Sequence, residues 1–181
     1  MDNRPVPKTI FTTDIFEFDV PNIDQHEQYF APYIENLEER KKVRTDFFDN
    51  TEYDLPQDLS DFIIDKVGSI VGRAAVRIHS YWLQDYQQSQ YHGMHTHGDT
   101  LYAGVYYLRF KGHGGHLIFQ NPNTVQWMTR SGPFEHYYQP ERGKMVLFNG
   151  WLPHRVDEIT DTVEERSILA FNVVRDYSEV L

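Results

Sequence analysis

Four residues in the second half of the chain could together hold a metal ion: His95, His97, Asp99 and His154. His95 and His97 are two apart, so on a β-strand their imidazoles leave the same face, close enough to share an ion. His97 and Asp99 stand in the same relation. A third ligand from a distant strand would close a facial set and leave three coordination positions open. Two histidines and a carboxylate with open positions are the donor set of non-haem Fe(II) oxygenases, and three histidines are a departure from it. Spacing alone leaves two registers standing: His95, His97 and His154, or His97, Asp99 and His154. It also leaves a plainer reading, in which His95 and His97 are loop residues and His154 is a hydrogen-bonded core histidine. His26, His79, His92, His113, His116 and His136 are read as ordinary core or surface residues. His92 is the least secure of them because it lies on the ligand segment.

Two further segments carry residues that make poor core unless they meet a ligand. Over 166–174 one face reads Arg166, Ile168, Ala170, Asn172 and Val174, and the other reads Ser167, Leu169, Phe171 and Val173. The second face is ordinary packing. An arginine and an asparagine among small apolar residues suit a polar ligand; the alternative for Arg166 is an ion pair with Glu164 or Asp161. Over 101–110, Leu101, Ala103, Val105, Tyr107 and Arg109 share a face at strand spacing. That describes a cavity wall with the Tyr107 hydroxyl reaching inward, or a core tyrosine bonded to backbone.

The elements that must position these residues follow from periodicity and punctuation. Strands are predicted at 74–83, 90–97, 101–110, 115–120, 125–130, 144–149 and 166–174, with Gly and Pro clustered between them, a pattern of sandwiches and barrels. Before them, Ile15 to Val20 reads as a strand ended by Pro21. A helix is predicted over 24–43, with Tyr29, Phe30, Tyr33, Ile34 and Leu37 at helical spacing and the charged run Glu38 to Arg44 as its solvated back half. A second helix runs from about Pro56 to Val71, burying Leu59, Phe62, Ile63, Val67 and Ile70.

Composition narrows the function classes. The 181 residues suit one domain with a real core. Twelve Tyr and twelve Phe suit a β-rich core. With no cysteine in the sequence, a disulfide scaffold, a thiolate metal site, an iron–sulfur cluster and a thiol nucleophile are excluded. Seventeen basic against 27 acidic residues give a net charge of −10, which argues against an electrostatic nucleic-acid binder. Met1-Asp2-Asn3-Arg4 opens no apolar signal core, and no apolar run approaches the roughly 18 residues of a membrane span. A soluble, cytoplasmic protein is expected.

The order of motifs resembles the 2-oxoglutarate/Fe(II)-dependent oxygenase superfamily, and more narrowly a bacterial and phage branch with prolyl-hydroxylase-like features. The matching segments are Tyr81-Trp82, His95-Thr96-His97, Ala103-Gly104-Val105-Tyr106-Tyr107-Leu108, Gly115-His116-Leu117-Ile118-Phe119, Phe148 to Val156, Arg166 and Phe171-Asn172-Val173; Ile10-Phe11-Thr12-Thr13 resembles the branch's opening strand. The resemblance implies a mainly β protein with N-terminal helices, a double-stranded β-helix (a cupin-like jelly roll). One domain would cover 1–181, with 1–72 as the N-terminal strand and supporting helices and 73–176 as the jelly-roll core. It implies Fe(II), 2-oxoglutarate and O₂ as cofactors, and oxidative decarboxylation of 2-oxoglutarate to succinate and CO₂ coupled to hydroxylation of a substrate. His154 would be the distal metal ligand. Arg166 would grip the far carboxylate of 2-oxoglutarate through its planar fork, with Tyr107 donating to the same group and Asn172 and Leu117 completing the co-substrate site. The superfamily's usual pair is His-x-Asp. The branch places the metal pair at His95 and His97, with Asp99 the alternate ligand.

The expected partner is the small co-substrate, with a peptide or protein side chain as the first expectation for the substrate, no nucleic acid, no membrane, and a homodimer allowed. Two other classes compete: a cupin-like metalloenzyme that does not use 2-oxoglutarate, and a non-enzymatic jelly-roll binding module. A carboxylate clamp at Arg166 and Tyr107 separates the first reading from the cupin-like one, and a metal-free crystal with an empty pocket would favour the binding module.

Overall fold

The computed structural model describes residues 12–40, 43–49, 53–72 and 75–177. Its larger sheet has seven antiparallel strands in the order β1-β9-β6-β11-β4-β3-β2. These are β1 (Ile15–Asp19), β2 (Glu39–Arg40), β3 (Val43–Thr45), β4 (Val76–Asp85), β6 (Tyr102–Gly112), β9 (Lys144–Asn149) and β11 (Val163–Arg175). The smaller sheet, order β5-β10-β7-β8, comprises β5 (His92–His95), β7 (Leu117–Gln120), β8 (Glu135–Tyr138) and β10 (His154–Val156). Helices α1 (Ile23–Glu35) and α2 (Gln57–Ile70) accompany the larger sheet, and a short α3 (Thr124–Met128) joins β7 to β8. Among the described residues, no helix is long and apolar enough to cross a membrane.

Strand alternation splits the core in two. Tyr102, Tyr106, Leu108, Leu169, Phe171 and Val173 pack with Phe30, Ile34, Leu59, Ile63 and Val67 of the two helices. Ala103, Val105, Tyr107, Ile168 and Ala170, on the opposite face of β6 and β11, pack with Leu117, Phe119 and Val156 of the smaller sheet. The space between the sheets is therefore lined by the face of β11 that begins with Arg166. The face of β6 departs from strict alternation. The β6–β11 register shifts between Ser167 and Ile168, opposite Arg109 and Tyr107. That irregularity turns Arg109 toward α1, where its Nε donates to Glu27 at 3.1 Å. Leu101 packs with the helix-side cluster as well.

Several sequence expectations need correction. The first helix ends at Glu35 rather than 43. Arg44 ends it: its guanidinium donates to the carbonyls of Ile34, Glu35 and Leu37 and pairs with Asp85, so the charged run folds back as β2 and β3 and satisfies the helix C-terminus. Lys41 and Lys42 of that run lie outside the described residues. The strand expected at 125–130 is α3, because the Asn123 side chain accepts from the Gln126 backbone N–H and starts a helical turn. The short strands β8 and β10 were not expected. Ile10 and Phe11 of the expected opening strand, and Ala74 of the 74–83 strand, also lie outside the described residues, while Thr12 and Thr13 precede β1 without strand pairing.

Candidate metal and co-substrate site

β5 and β10 pair so that His154 stands opposite His95. His97 lies two residues beyond the end of β5, and its backbone N–H is anchored to the Gly150 carbonyl at 2.7 Å. The geometry brings one ring nitrogen from each of His95, His97 and His154 within 4.8 Å of one another. Gly98 and Asp99 form the turn that follows; Gly98 has φ +60°, Asp99 is exposed, and its carboxylate is not part of the cluster.

The hydrogen bonds of the three rings decide what they can do. His95 Nδ1 meets the Gly93 carbonyl at 2.8 Å, His154 Nδ1 meets the Leu152 carbonyl at 2.8 Å, and His97 Nδ1 meets Asn172 Oδ1 at 2.6 Å. Each partner is an acceptor, so each Nδ1 carries the proton and each Nε2 presents a lone pair. Asn172 is oriented in turn by donating to Ser80 Oγ at 3.1 Å. The Nε2 atoms of His97 and His154 then face each other at 3.2 Å with no proton between them, an arrangement that a cation relieves. Burial holds the His154 ring down to about 3 and lowers His95 and His97 too, so all three are neutral, as metal ligands must be. Phe148 and Phe119 pack against His154, and Trp82 stacks on His97, which fixes the ring planes.

Arg166 supplies the second half of the site. It is 1 % exposed and makes no ion pair with Glu164, which instead meets Lys111. Its Nε donates to the Gly115 carbonyl at 3.2 Å, and its guanidinium lies 4.3 Å over the Tyr86 ring and 5.5 Å from the Tyr107 ring. Both terminal nitrogens and the Tyr107 hydroxyl are buried without a hydrogen-bond partner. Burial pushes the Tyr107 hydroxyl up to about 12, against the opposing effect of Arg166, so it is a donor at neutral pH. A buried cation and a buried phenol with unused donors suit an anion with several acceptor oxygens. Leu117 and Ile168 pack in the same cluster as Tyr107. The structure thus draws Arg166 and Tyr107 together, keeps Leu117 in the apolar cluster that holds Tyr107, and places Asn172 at His97. Tyr86 and the Gly115 carbonyl were not singled out in the sequence; Gly115 stands at φ +56°, a conformation favouring glycine and a visible hint in Gly114-Gly115.

The family model described as "Putative 2OG-Fe(II) oxygenase" matches residues 80–172, more than half of the chain. The chain belongs to the 2OG-Fe(II) oxygenase family. The oxygenase is accordingly an oxidoreductase that uses Fe(II), 2-oxoglutarate and O₂. No curated protein matches its sequence. Solved structures share its fold. A 2OG-Fe(II) oxygenase family oxidoreductase from Burkholderia pseudomallei is 16% identical, with a TM-score of 0.64 over 90% of this chain and 84% of that one. HygX from Streptomyces hygroscopicus, with nickel, 2-oxoglutarate and hygromycin B bound, is 12% identical, with a TM-score of 0.63 over 92% and 84%. A Pseudomonas putida prolyl-4-hydroxylase is 15% identical, with a TM-score of 0.58 over 91% and 94%. The two antiparallel sheets of the oxygenase are the expected jelly roll. The residues present fit both groups: three lone pairs converge for a metal, and orphaned donors await a carboxylate.

Proposed function

We propose that His95, His97 and His154 hold Fe(II) through Nε2, that Arg166 and Tyr107 grip the distal carboxylate of 2-oxoglutarate, and that the substrate is a peptide or protein side chain. The observation that carries the ligand assignment is the set of three Nδ1 hydrogen bonds, which leaves three unprotonated Nε2 atoms within one coordination sphere. Asp99 lies outside that sphere. Asn172 acts on the metal through His97 by holding its tautomer and ring plane.

Iron with 2-oxoglutarate and O₂ supplies the oxidising power, as 2-oxoglutarate becomes succinate and CO₂ and a substrate C–H bond is hydroxylated. The chain contributes position and dryness. Arg166 is held by Gly115 at one nitrogen, so its two remaining nitrogens meet a carboxylate as a fork. Tyr107 adds a third donor. Leu117 and Ile168 supply apolar wall for the methylenes between the two ends. The substrate class draws support from the prolyl-hydroxylase-like features of the sequence. A single domain over 1–181 and a cytoplasmic location belong to the same proposal, which allows a homodimer; gel filtration with light scattering decides the oligomeric state.

The site assignment is tested by adding Fe(II) and then 2-oxoglutarate to the protein without oxygen. A visible charge-transfer band and a rise in melting temperature are expected, since the co-substrate binds only the folded state. No band and no rise at millimolar 2-oxoglutarate would contradict it. Slow succinate formation in air without substrate is the third expected result.

A further inference from the structure

A cavity of about 320 Å³ opens beside His95 and His97, and Arg166 is not part of its wall. Among the described residues, none of the eleven that line it is Asp, Glu, Lys or Arg. Its outer wall is aromatic: Phe47 and Phe48 are 52% and 54% exposed, and the Phe47 ring meets Phe48 at 5.0 Å and Trp82 at 4.9 Å, edge to face in both cases. Exposed rings at the rim of a cavity gain by being covered with apolar surface.

Most polar groups on the wall already have partners. Asn172 is held between His97 and Ser80; Thr45 Oγ1 donates to the Leu83 carbonyl and accepts from the Phe47 N–H. His92 is different. The Tyr86 hydroxyl donates to Gln84 Oε1 at 3.0 Å, which turns Gln84 Nε2 toward His92 Nδ1 at 3.5 Å. Nδ1 of His92 is therefore the acceptor, and its proton sits on Nε2. This is the opposite tautomer to that of the three proposed ligands. The His92 ring stacks on His95 at 4.2 Å and lines the cavity, where its Nε2–H is a hydrogen-bond donor. Trp82 Nε1 is a second donor, buried and without a partner.

We infer that the substrate inserts an uncharged apolar or aromatic side chain, flanked by a carbonyl oxygen, into this cavity. The side chain packs on Phe47, Phe48 and Trp82, and the carbonyl accepts from His92 Nε2. A charged side chain would lose its hydration against a wall whose described residues offer no opposite charge, which disfavours it strongly. The inference rests on the metal and co-substrate assignment made above.

The test titrates protein loaded with Fe(II) and 2-oxoglutarate, without oxygen, with four probes: the N-acetyl, N-methylamide derivatives of Phe, Leu, Glu and Lys. Binding is followed by calorimetry and by perturbation of the visible band. The Phe and Leu probes are expected to bind at least tenfold more tightly than the Glu and Lys probes. Phe47→Ser/Phe48→Ser should weaken the Phe probe at least tenfold, with the melting-temperature rise on 2-oxoglutarate addition reporting that the variant is folded. His92→Phe, which keeps the ring stacked on His95 and removes the donor, should weaken all capped amides severalfold. Nitrogen NMR of the metal-free protein should show His92 protonated at Nε2. Equal or tighter binding of the Glu or Lys probe, or an unchanged affinity in the double variant, overturns the inference. If no probe binds while 2-oxoglutarate still does, this inference fails alone; if 2-oxoglutarate does not bind, the site assignment fails with it.

Discussion

At the histidine end of the site each of the three proposed ligands has its Nδ1 proton committed to a backbone or amide oxygen, whereas at the arginine end the donors are left open. His95, His97 and His154 are held by Gly93, Asn172 and Leu152, and what they offer inward is three lone pairs. Arg166 is held at one nitrogen by Gly115, and what it offers, together with Tyr107, is unused N–H and O–H groups. In the proposed site one end suits a cation and the other an anion. Each is unfavourable when left alone: lone pairs face each other at 3.2 Å at the first, and the two terminal nitrogens of a buried guanidinium lack hydrogen-bond partners at the second. A metal and a dicarboxylate relieve both at once, so the site is organised around groups that the chain itself does not supply.

The largest effect should come from removing a proposed ligand. His154→Ala should abolish Fe(II) binding at micromolar metal in an anaerobic titration and abolish succinate formation, while the arginine end keeps its structure. At the other end, Arg166→Ala should weaken 2-oxoglutarate by ~2–5 kcal/mol, the usual effect of leaving a buried charged partner unpaired. Fe(II) affinity should stay near that of the parent. Arg166→Lys should also lose affinity because the fork is lost. Arg166→Met should show the contrast from the opposite side: a higher melting temperature than the parent without co-substrate, and no further rise on adding it. If Arg166→Ala binds 2-oxoglutarate like the parent, the two-ended picture is wrong.

A smaller effect belongs to the group that acts through a ligand. Asn172→Leu should lower Fe(II) affinity about 10–100-fold, the range seen when the partner of a ligand imidazole is lost. Asn172→Asp, which keeps an acceptor for His97 Nδ1, should recover most of it. The smallest effect should be that of Tyr107→Phe. Its loss in 2-oxoglutarate affinity should be about 0.5–1.5 kcal/mol, the contribution of one hydrogen bond, with the melting temperature of the co-substrate-free protein not reduced.

How much of this is legible in the sequence differs between the two ends and the frame around them. Arg166 and Tyr107 stand out because a strand of period two sorts polar from apolar residues, and these break an otherwise apolar face; His95 and His97 stand out by their ligand spacing, and His154 by its place in the family's motif order. Asn172 is visible by the same rule, but its partner His97 lies 75 positions away, so the direction of its amide is not. His92 reads as an ordinary histidine because its distinguishing feature is a tautomer set by Gln84 and Tyr86, and tautomers leave no mark on spacing. The frame fails where tertiary contacts override local pattern. Glu38 to Arg44 has helical character, yet Arg44 is worth more capping the carbonyls of α1 and meeting Asp85 than extending a solvated helix. Arg109 fits the inward face of β6 by count, and one register shift sends it to Glu27. Residues 125–130 alternate like a strand, but a single Asn123 cap starts a helical turn.

The central claim is that the metal is held by three neutral histidines, with the carboxylate of Asp99 outside. The most direct measurement compares His95→Ala and Asp99→Ala by anaerobic Fe(II) titration under the same conditions. Three-histidine ligation requires His95→Ala to lose the metal and Asp99→Ala to keep affinity close to that of the parent. The opposite ranking, with Asp99→Ala losing the metal and His95→Ala retaining it, would show that His97, Asp99 and His154 form the site and that His95 only stacks beside it.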